Sequence, residues 1–329
     1  MDNHPNRKKH ILALMVPVLM VQQAFANTTD GQPTVELEAM VIKLDTRPKA
    51  NVGENIITHQ DINQQLVQNN HDLVRYNTEV DVAEVGRYGS KGFAIRGVDG
   101  NRVAMSLDGM ALPEVEVNEI YAPYGYMYEG RFSPDLELMG GVRVSAGADS
   151  LLSGSGAVGG SVSYQSKEPS EFLKNGKTLG GYTKVGYANK NEEWLAAGGL
   201  AGRINKAEFV LNYTHRDGHE LKNHDMRRHD KSRLDINYDF VANGEQMGVS
   251  RSSVSYPDSL KYTRDGVLGK LYYHINDDHR LGVQALYQKQ DTHAYAYSKS
   301  VTSPPRMAYD TEKMQSYGIN YRFEPSDSK

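Results

Sequence analysis

The sequence predicts a compact mixed α/β domain followed by antiparallel strands of a transmembrane β-barrel, a barrel that this chain leaves incomplete. Three observations predict it. Residues 51–168 interleave capped helix starts with strands of period two. From about residue 178 onward, alternating strands are joined by connections that are short at one end and long at the other. The one long apolar run lies at the amino terminus of the 329 residues.

That run comes first along the chain. Arg7, Lys8 and Lys9 lead into the apolar stretch Ile11 to Val21, and Ala24-Phe25-Ala26 follows. This is the basic region, apolar core and small-residue cleavage site of a secretory signal, so residues 1–26 are expected to be removed and the mature chain to begin at Asn27. The run falls short of the roughly 20 residues a spanning helix needs, and Pro17 interrupts it. With no second such run, the chain can span a membrane only through strands whose lipid-facing and lumen-facing residues alternate. Cysteine is absent, which excludes disulfide scaffolds, zinc–thiolate sites and thiol nucleophiles. A net charge of -4 gives no electrostatic case for nucleic acid. The 21 tyrosines suit both strands and a membrane interface, where the ring sits in the apolar layer and the hydroxyl stays wet.

Residues 27–50 are polar, apart from the extended segment Leu37 to Lys43. In the next domain, Thr58 or Asp61 caps a helix that carries Ile62, Leu66 and Val67 at helical spacing. Asp72-Leu73-Val74 opens a second short helix, and the chain becomes extended through Val80, Val82 and Val85. Phe93 and Ile95, then Val103, Met105 and Leu107, alternate with polar residues as half-buried strands do. The turn composition Gly97 to Asn101 between them, and a second turn at Asp108-Gly109, read as a hairpin. Arg96, Asp99 and Arg102 are expected to be a structural ion-pair set that fixes this domain against its enclosure. Gly154, Gly156, Gly159 and Gly160 match neither a phosphate-binding loop nor a dinucleotide fingerprint, and they continue into the strand Ser161 to Tyr164, so close strand turns explain them.

Beyond residue 178, Phe209, Leu211 and Tyr213 share a face against Glu208, Asn212 and Thr214. Leu234, Ile236, Tyr238 and Phe240 do the same before an Asn243-Gly244 turn. Val267, Leu271, Tyr273 and Ile275 oppose Lys270 and His274; Leu281, Val283, Ala285 and Tyr287 oppose Gln284 and Gln288; Tyr317, Ile319, Tyr321 and Phe323 oppose Ser316, Asn320 and Arg322. Short turns at 204–206 and 276–279 contrast with long connections at 215–233 and 291–313, the asymmetry of outer-membrane barrels. Six to eight strands are expected.

Three stretches, GFAIRGVDGNRVAMSLDGMALPE (Gly92 to Glu114), GADSLLSGSGAVGGSVSYQSKEP (Gly147 to Pro169) and HRDGHELKN (His215 to Asn223), occur in that order. Together they resemble the TonB-dependent outer-membrane receptors, in particular the haemoglobin, transferrin and lactoferrin receptor family and its haem branch. The resemblance implies a plug domain over 51–168, with Arg96, Gly97, Asp99, Arg102, Asp108 and Gly109 as its structural motif, and the first barrel strands over 178–329. It further implies that residues 27–50 are a periplasmic segment in which Glu38, Ala39, Met40, Val41, Ile42 and Lys43 form a TonB box. Such a box pairs its backbone with a sheet edge of the partner TonB.

The family closes 22 strands around its plug. A wall of that size needs well over 300 residues, at roughly ten per strand plus connections, so the chain is expected to be the amino-terminal part of a receptor. The implied cargo is haem, bound only in transit with no permanent cofactor and no metal site. The implied partners are TonB, host haemoglobin or another haem or iron carrier, and the outer membrane. His219 and His224, near the expected tip of the first long outer loop, are the candidate axial ligands, since haem iron accepts His. The stretch 110–131 departs from the family pattern. Three alternatives stand beside this reading: a siderophore, transferrin or lactoferrin iron receptor; a non-functional truncated receptor; and a secreted β-rich enzyme. The last finds no support in a nucleophile elbow, a zinc motif or paired carboxylates.

Overall fold

The computed structural model describes residues 53–84, 90–114, 131–148, 156–220, 241–242, 245–246, 260–296 and 306–324, all within the unit Ala50–Lys329. The secretory signal, the segment 38–43, Val85, Gly154, His224 and the alternating stretch 234–240 lie outside the described residues.

The inner domain begins with strand β1 (Glu54–Thr58), which runs directly into helix α1 (His59–Gln64). Thr58 caps the helix: its hydroxyl accepts from the Asp61 amide at 3.2 Å, and Asp61 Oδ2 accepts from the Thr58 amide at 3.0 Å, a reciprocal capping box. Ile62 and Val67 are buried as their spacing requires. Leu66 is not; it takes a φ of 52° just past the helix and is 72% exposed, so the apolar stripe ends with the helix. Helix α2 (Asn70–Val74) starts two residues earlier than the sequence suggests, because Asn69 serves as cap and accepts from the Asp72 amide at 3.0 Å.

The next strands are β2 (Val80–Glu84), β3 (Ser90–Ile95), β4 (Val103–Leu107), β5 (Met110–Ala111), β6 (Met139–Ala146) and β7 (Gly160–Ser166). One five-stranded sheet has the order β1-β6-β7-β4-β5, and β2 pairs with β3 in a separate ladder. The expected β3–β4 hairpin does not form. Arg96 and Gly97, with φ of 50° and 81°, make a tight turn closed by Ile95 and Val98, whose amides and carbonyls bond one another at 2.8 and 2.9 Å. The chain then leaves that ladder, and β4 pairs in parallel with β7. Asp108-Gly109, with φ of 49° and 82°, does join β4 to β5 as expected, in the two-residue geometry that positive φ at both positions permits. Just before β7, a Cβ on Gly159 would meet the Val98 side chain at 2.7 Å, so only glycine fits at this position.

After the short helix α3 (Pro169–Phe172) comes the wall: β8 (Leu179–Ala188), β9 (Glu193–Ile204) and β10 (Ala207–His219), then β13 (Leu260–His274), β14 (His279–Ala296) and β15 (Arg306–Phe323). These six form one antiparallel sheet, β15-β14-β13-β10-β9-β8. The two-residue strands β11 (Val241–Ala242) and β12 (Glu245–Gln246) pair only with each other, so β10 lies directly against β13. Connections at one end are short, at 205–206 and 275–278; at the other they are 220–259, 297–305 and 189–192, the last as short as those opposite.

The wall is built with its apolar side outward. Leu211, Leu271, Val283 and Ile319 are exposed, together with Tyr273, Tyr317, Tyr321 and Phe323, while Asn212, Thr214, Lys270 and Gln288 face inward and are buried. Across the register, Tyr213, Val267, Tyr287 and Gln315 form one outward row, and the row beyond it is His215, Asp265, Lys289 and Lys313. An apolar exterior bounded by a charged row is what a lipid-facing surface requires. The inner domain's core gathers Ile62, Phe93, Ile95, Val103, Leu138, Met139, Val162 and Tyr164, all with no exposure, and inward-facing Leu268, Leu286 and Met314 of the wall complete it.

Candidate functional site

Where the inner domain meets the wall, the apolar contact gives way to a belt of buried polar groups. Its first part is the segment 131–138. Asp135 caps a single 3-10 turn, Leu136–Leu138, by accepting from the Glu137 amide at 2.9 Å. That turn aims the Asp135 carboxylate at β10, where Arg216 grips it with two bonds, Nε to Oδ2 at 2.7 Å and Nη2 to Oδ1 at 3.0 Å. The remaining Nη1 of Arg216 donates to Glu193 of β9 at 2.7 Å, and Tyr262 of β13 donates to the other oxygen of that glutamate. Burial alone would raise the Asp135 pKa, but the charge and hydrogen bonds of Arg216 outweigh it and hold the carboxyl down at about 2. Gln288 of β14 reads the same segment through its backbone, accepting from the Asp135 amide at 2.8 Å and donating to the Ser133 carbonyl at 3.0 Å.

The second part centres on Glu137 and Lys167. Lys184 of β8 bonds to Glu137 and donates to Asn63 of α1 at 2.9 Å. The fully buried Lys167 donates to the Tyr182 hydroxyl at 2.6 Å, and that hydroxyl donates to the Glu137 carbonyl at 3.3 Å. Burial brings Lys167 down to about 8, against the pull of Glu137 and Glu171. His59, beside the same cluster, falls to about 4 through burial and the neighbouring charges of Lys167 and Lys184. In the third part, Lys270 of β13 donates to Glu168 at 2.6 Å and lies 3.8 Å from Asp108, whose carboxylate also accepts from the Ser166 amide at 2.9 Å.

The arrangement holds a folded insert in a ring of strands through directional bonds. Among the described residues, no group of three or more His, Cys, Asp or Glu is placed to hold a metal ion.

The residues singled out from sequence fall in different places. Asp108 belongs to the belt, and Gly109 completes its turn. Arg96 pairs with Glu79 at 2.7 Å and Arg102 with Asp99 at 2.6 Å, and all four side chains are exposed with respect to the part of the wall this chain contains. Both pairs are local to the inner domain, and exposed pairs contribute little. His219 is not at a loop tip. The β10 ladder runs on through His219 opposite Lys261, which puts the histidine on the outward face shared by Leu211, Tyr213 and His215. His215 itself bonds to Asp265 at 2.8 Å. The belt partners Lys184, Glu193, Arg216, Lys270 and Gln288 were missed as a set, although each is a polar residue at an inward-facing position of an alternating strand.

Comparison with known proteins gives the same division. Residues 49–161 match the family model described as TonB-dependent Receptor Plug Domain. Hemoglobin-haptoglobin utilization protein B of Neisseria meningitidis serogroup C is 35% identical over 273 residues, covering 79% of this chain and 33% of the relative. Hemoglobin-binding protein A of Haemophilus influenzae is 31% identical over 292 residues, covering 85% of this chain and 27% of the relative. The chain thus spans a third or less of the length of these two relatives. Among solved structures, the FrpB iron transporter of Neisseria meningitidis superposes with a TM-score of 0.61 at 18% identity, over 84% of this chain and 39% of that one. The ferric enterobactin receptor of Pseudomonas aeruginosa gives 0.57 at 16% identity, over 83% and 38%. At these identities the structures share the fold.

Proposed function

Since the chain belongs to the TonB-dependent receptors, we propose that it supplies the plug and part of the barrel wall of an outer-membrane receptor that takes haem from haemoglobin or a haemoglobin complex. One observation carries the reading. Relatives named for haemoglobin or haemoglobin–haptoglobin are 31% to 35% identical to this chain over 79% and 85% of its length, a span that includes wall as well as plug. The apolar exterior of the wall supports placement in the outer membrane, and the belt supports a plug that stays seated until it is pulled. Receptors of this kind transport and do not catalyse.

In this reading TonB engages Glu38 to Lys43 by strand addition, and His219, the last residue of β10, and His224 contact the haem. The test is growth of the source bacterium with haemoglobin as sole iron source. Deleting the gene should abolish growth. Val41→Pro should do the same while leaving haemoglobin binding at the cell surface intact, because proline removes a backbone donor from the added strand. Loss of growth on a ferric siderophore, with haemoglobin use unchanged, would overturn the haem reading. A His219→Ala, His224→Ala double variant with an unaltered haem absorption spectrum would remove those two histidines from it.

A further inference from the structure

We propose that Arg131 is a positioning residue that ties together the two ends of the plug segment 115–130 and couples them to the wall. Arg131 is the first described residue after that segment, and its side chain reaches back across it. Nη1 donates to the Val103 carbonyl at 2.9 Å, Nε to the Pro113 carbonyl at 3.1 Å, and Nη2 approaches the Leu112 carbonyl at 3.5 Å. Its own amide donates to the Ser90 carbonyl at 2.7 Å. The guanidinium is buried, and each of these partners is a main-chain carbonyl. Its hydrogen bonds therefore register where the backbone lies, with the charge of Glu114 nearby. The stem lies against Gly92, where an added Cβ would be 3.5 Å from Arg131 Cδ and 3.3 Å from Met105 Sδ.

The residues just past Arg131 are bound to the wall at once. The Phe132 ring lies 5.6 Å from the Arg264 guanidinium, and the Ser133 carbonyl and Asp135 amide share the Gln288 side chain. The wall contacts begin at the residue next to the staple, so a shift at the ends of 115–130 is passed directly to β13 and β14. The fork of a guanidinium can hold three carbonyls in one plane; an ammonium is a point donor and cannot. The staple rests on geometry alone, and its bearing on uptake rests on the receptor reading above.

The test uses the full-length receptor in outer-membrane vesicles. Glu116, Glu119 and Glu129 give the segment three peptide bonds of the kind a glutamyl-specific protease recognises. Arg131→Met should be cleaved there about tenfold faster than the parent, the response expected from losing local hydrogen bonds. Arg131→Lys should fall between the two. Equal cleavage of parent and Arg131→Met would overturn the proposal. Hydrogen exchange on the parent receptor provides a check that needs no variant. The Leu112 amide, bonded to Met105, and the Arg131 amide, bonded to Ser90, should open together at one rate; rates more than about tenfold apart would also overturn it. A parent receptor that fails to bind haemoglobin would defeat the haem reading and leave both of these comparisons intact.

Discussion

The plug and the wall use the same period of two for opposite ends. In β4 the buried residues Val103, Met105 and Leu107 point into a core, and the intervening Ala104 and Ser106 are only half-buried. In β10 it is Asn212, Thr214 and Arg216 that are buried, while Leu211 is 55% exposed. Alternation therefore fixes which residues share a face but not which face meets solvent. The solvent decides that: water outside the plug sheet, lipid outside the wall. Between them, the belt supplies partners for the buried charges of Asp135, Lys167, Arg216 and Lys270.

The comparison can be broken most sharply at the belt. Arg216→Met leaves Asp135 and Glu193 buried with their shared cation gone, and should cost about 3–5 kcal/mol. The denaturant midpoint of the full-length receptor in detergent should fall accordingly, and adding Asp135→Asn should recover part of the loss. On the outer face, Leu211→Arg should cost about 2–4 kcal/mol if that face meets lipid. A water-facing position would tolerate it with little change, so refolding into bilayers reads out the identity of the solvent.

Acidity separates the two regions more gently. The His59 pKa is lowered from 6.5 to about 4 in the folded plug, so between those values the unfolded chain binds the extra proton. Stability should hold above about pH 6.5 and fall as the pH drops towards 4; His59→Gln should flatten that limb. Asp135 behaves otherwise. Its depressed pKa contributes stability above 3.8 that is lost only as the pH falls towards about 2, so the belt outlasts the loosening at His59. The smallest effect is expected at Arg102→Ala. It removes a pair whose side chains are 63% and 52% exposed, and the melting temperature should move by no more than about 0.5 kcal/mol of stability would produce.

Local grammar was legible in the sequence. The Thr58–Asp61 capping box, the Asp108-Gly109 turn and the facing of Val267, Leu271 and Tyr273 depend on neighbours within a few positions, and the structure has them. Pairing between distant segments was not. Nothing in β3 and β4 shows that each pairs elsewhere, because two glycine-bearing turns look alike whether or not the flanking strands meet. His219 was misplaced for a different reason: above the apolar band, outward positions turn polar, so alternation disappears from the sequence while the backbone ladder continues. The belt was hidden by separation, Asp135 and Arg216 being 81 positions apart. Its one signal was charged residues recurring at inward-facing strand positions.

The strands of the wall lengthen in order across the sheet: 10, 12, 13, 15, 18 and 18 residues from β8 to β15. At about 3.3 Å per residue, β14 is close to twice as long as β8. The register shares the excess between the two ends: β8 stops short of β9 beside the 205–206 turn, where Leu179 faces Gly202, and β14 runs past β13 at the other end, where Leu260 faces Ala294. The longest pair, β14 and β15, therefore runs past β13 at both rims and carries its backbone ladder there with it.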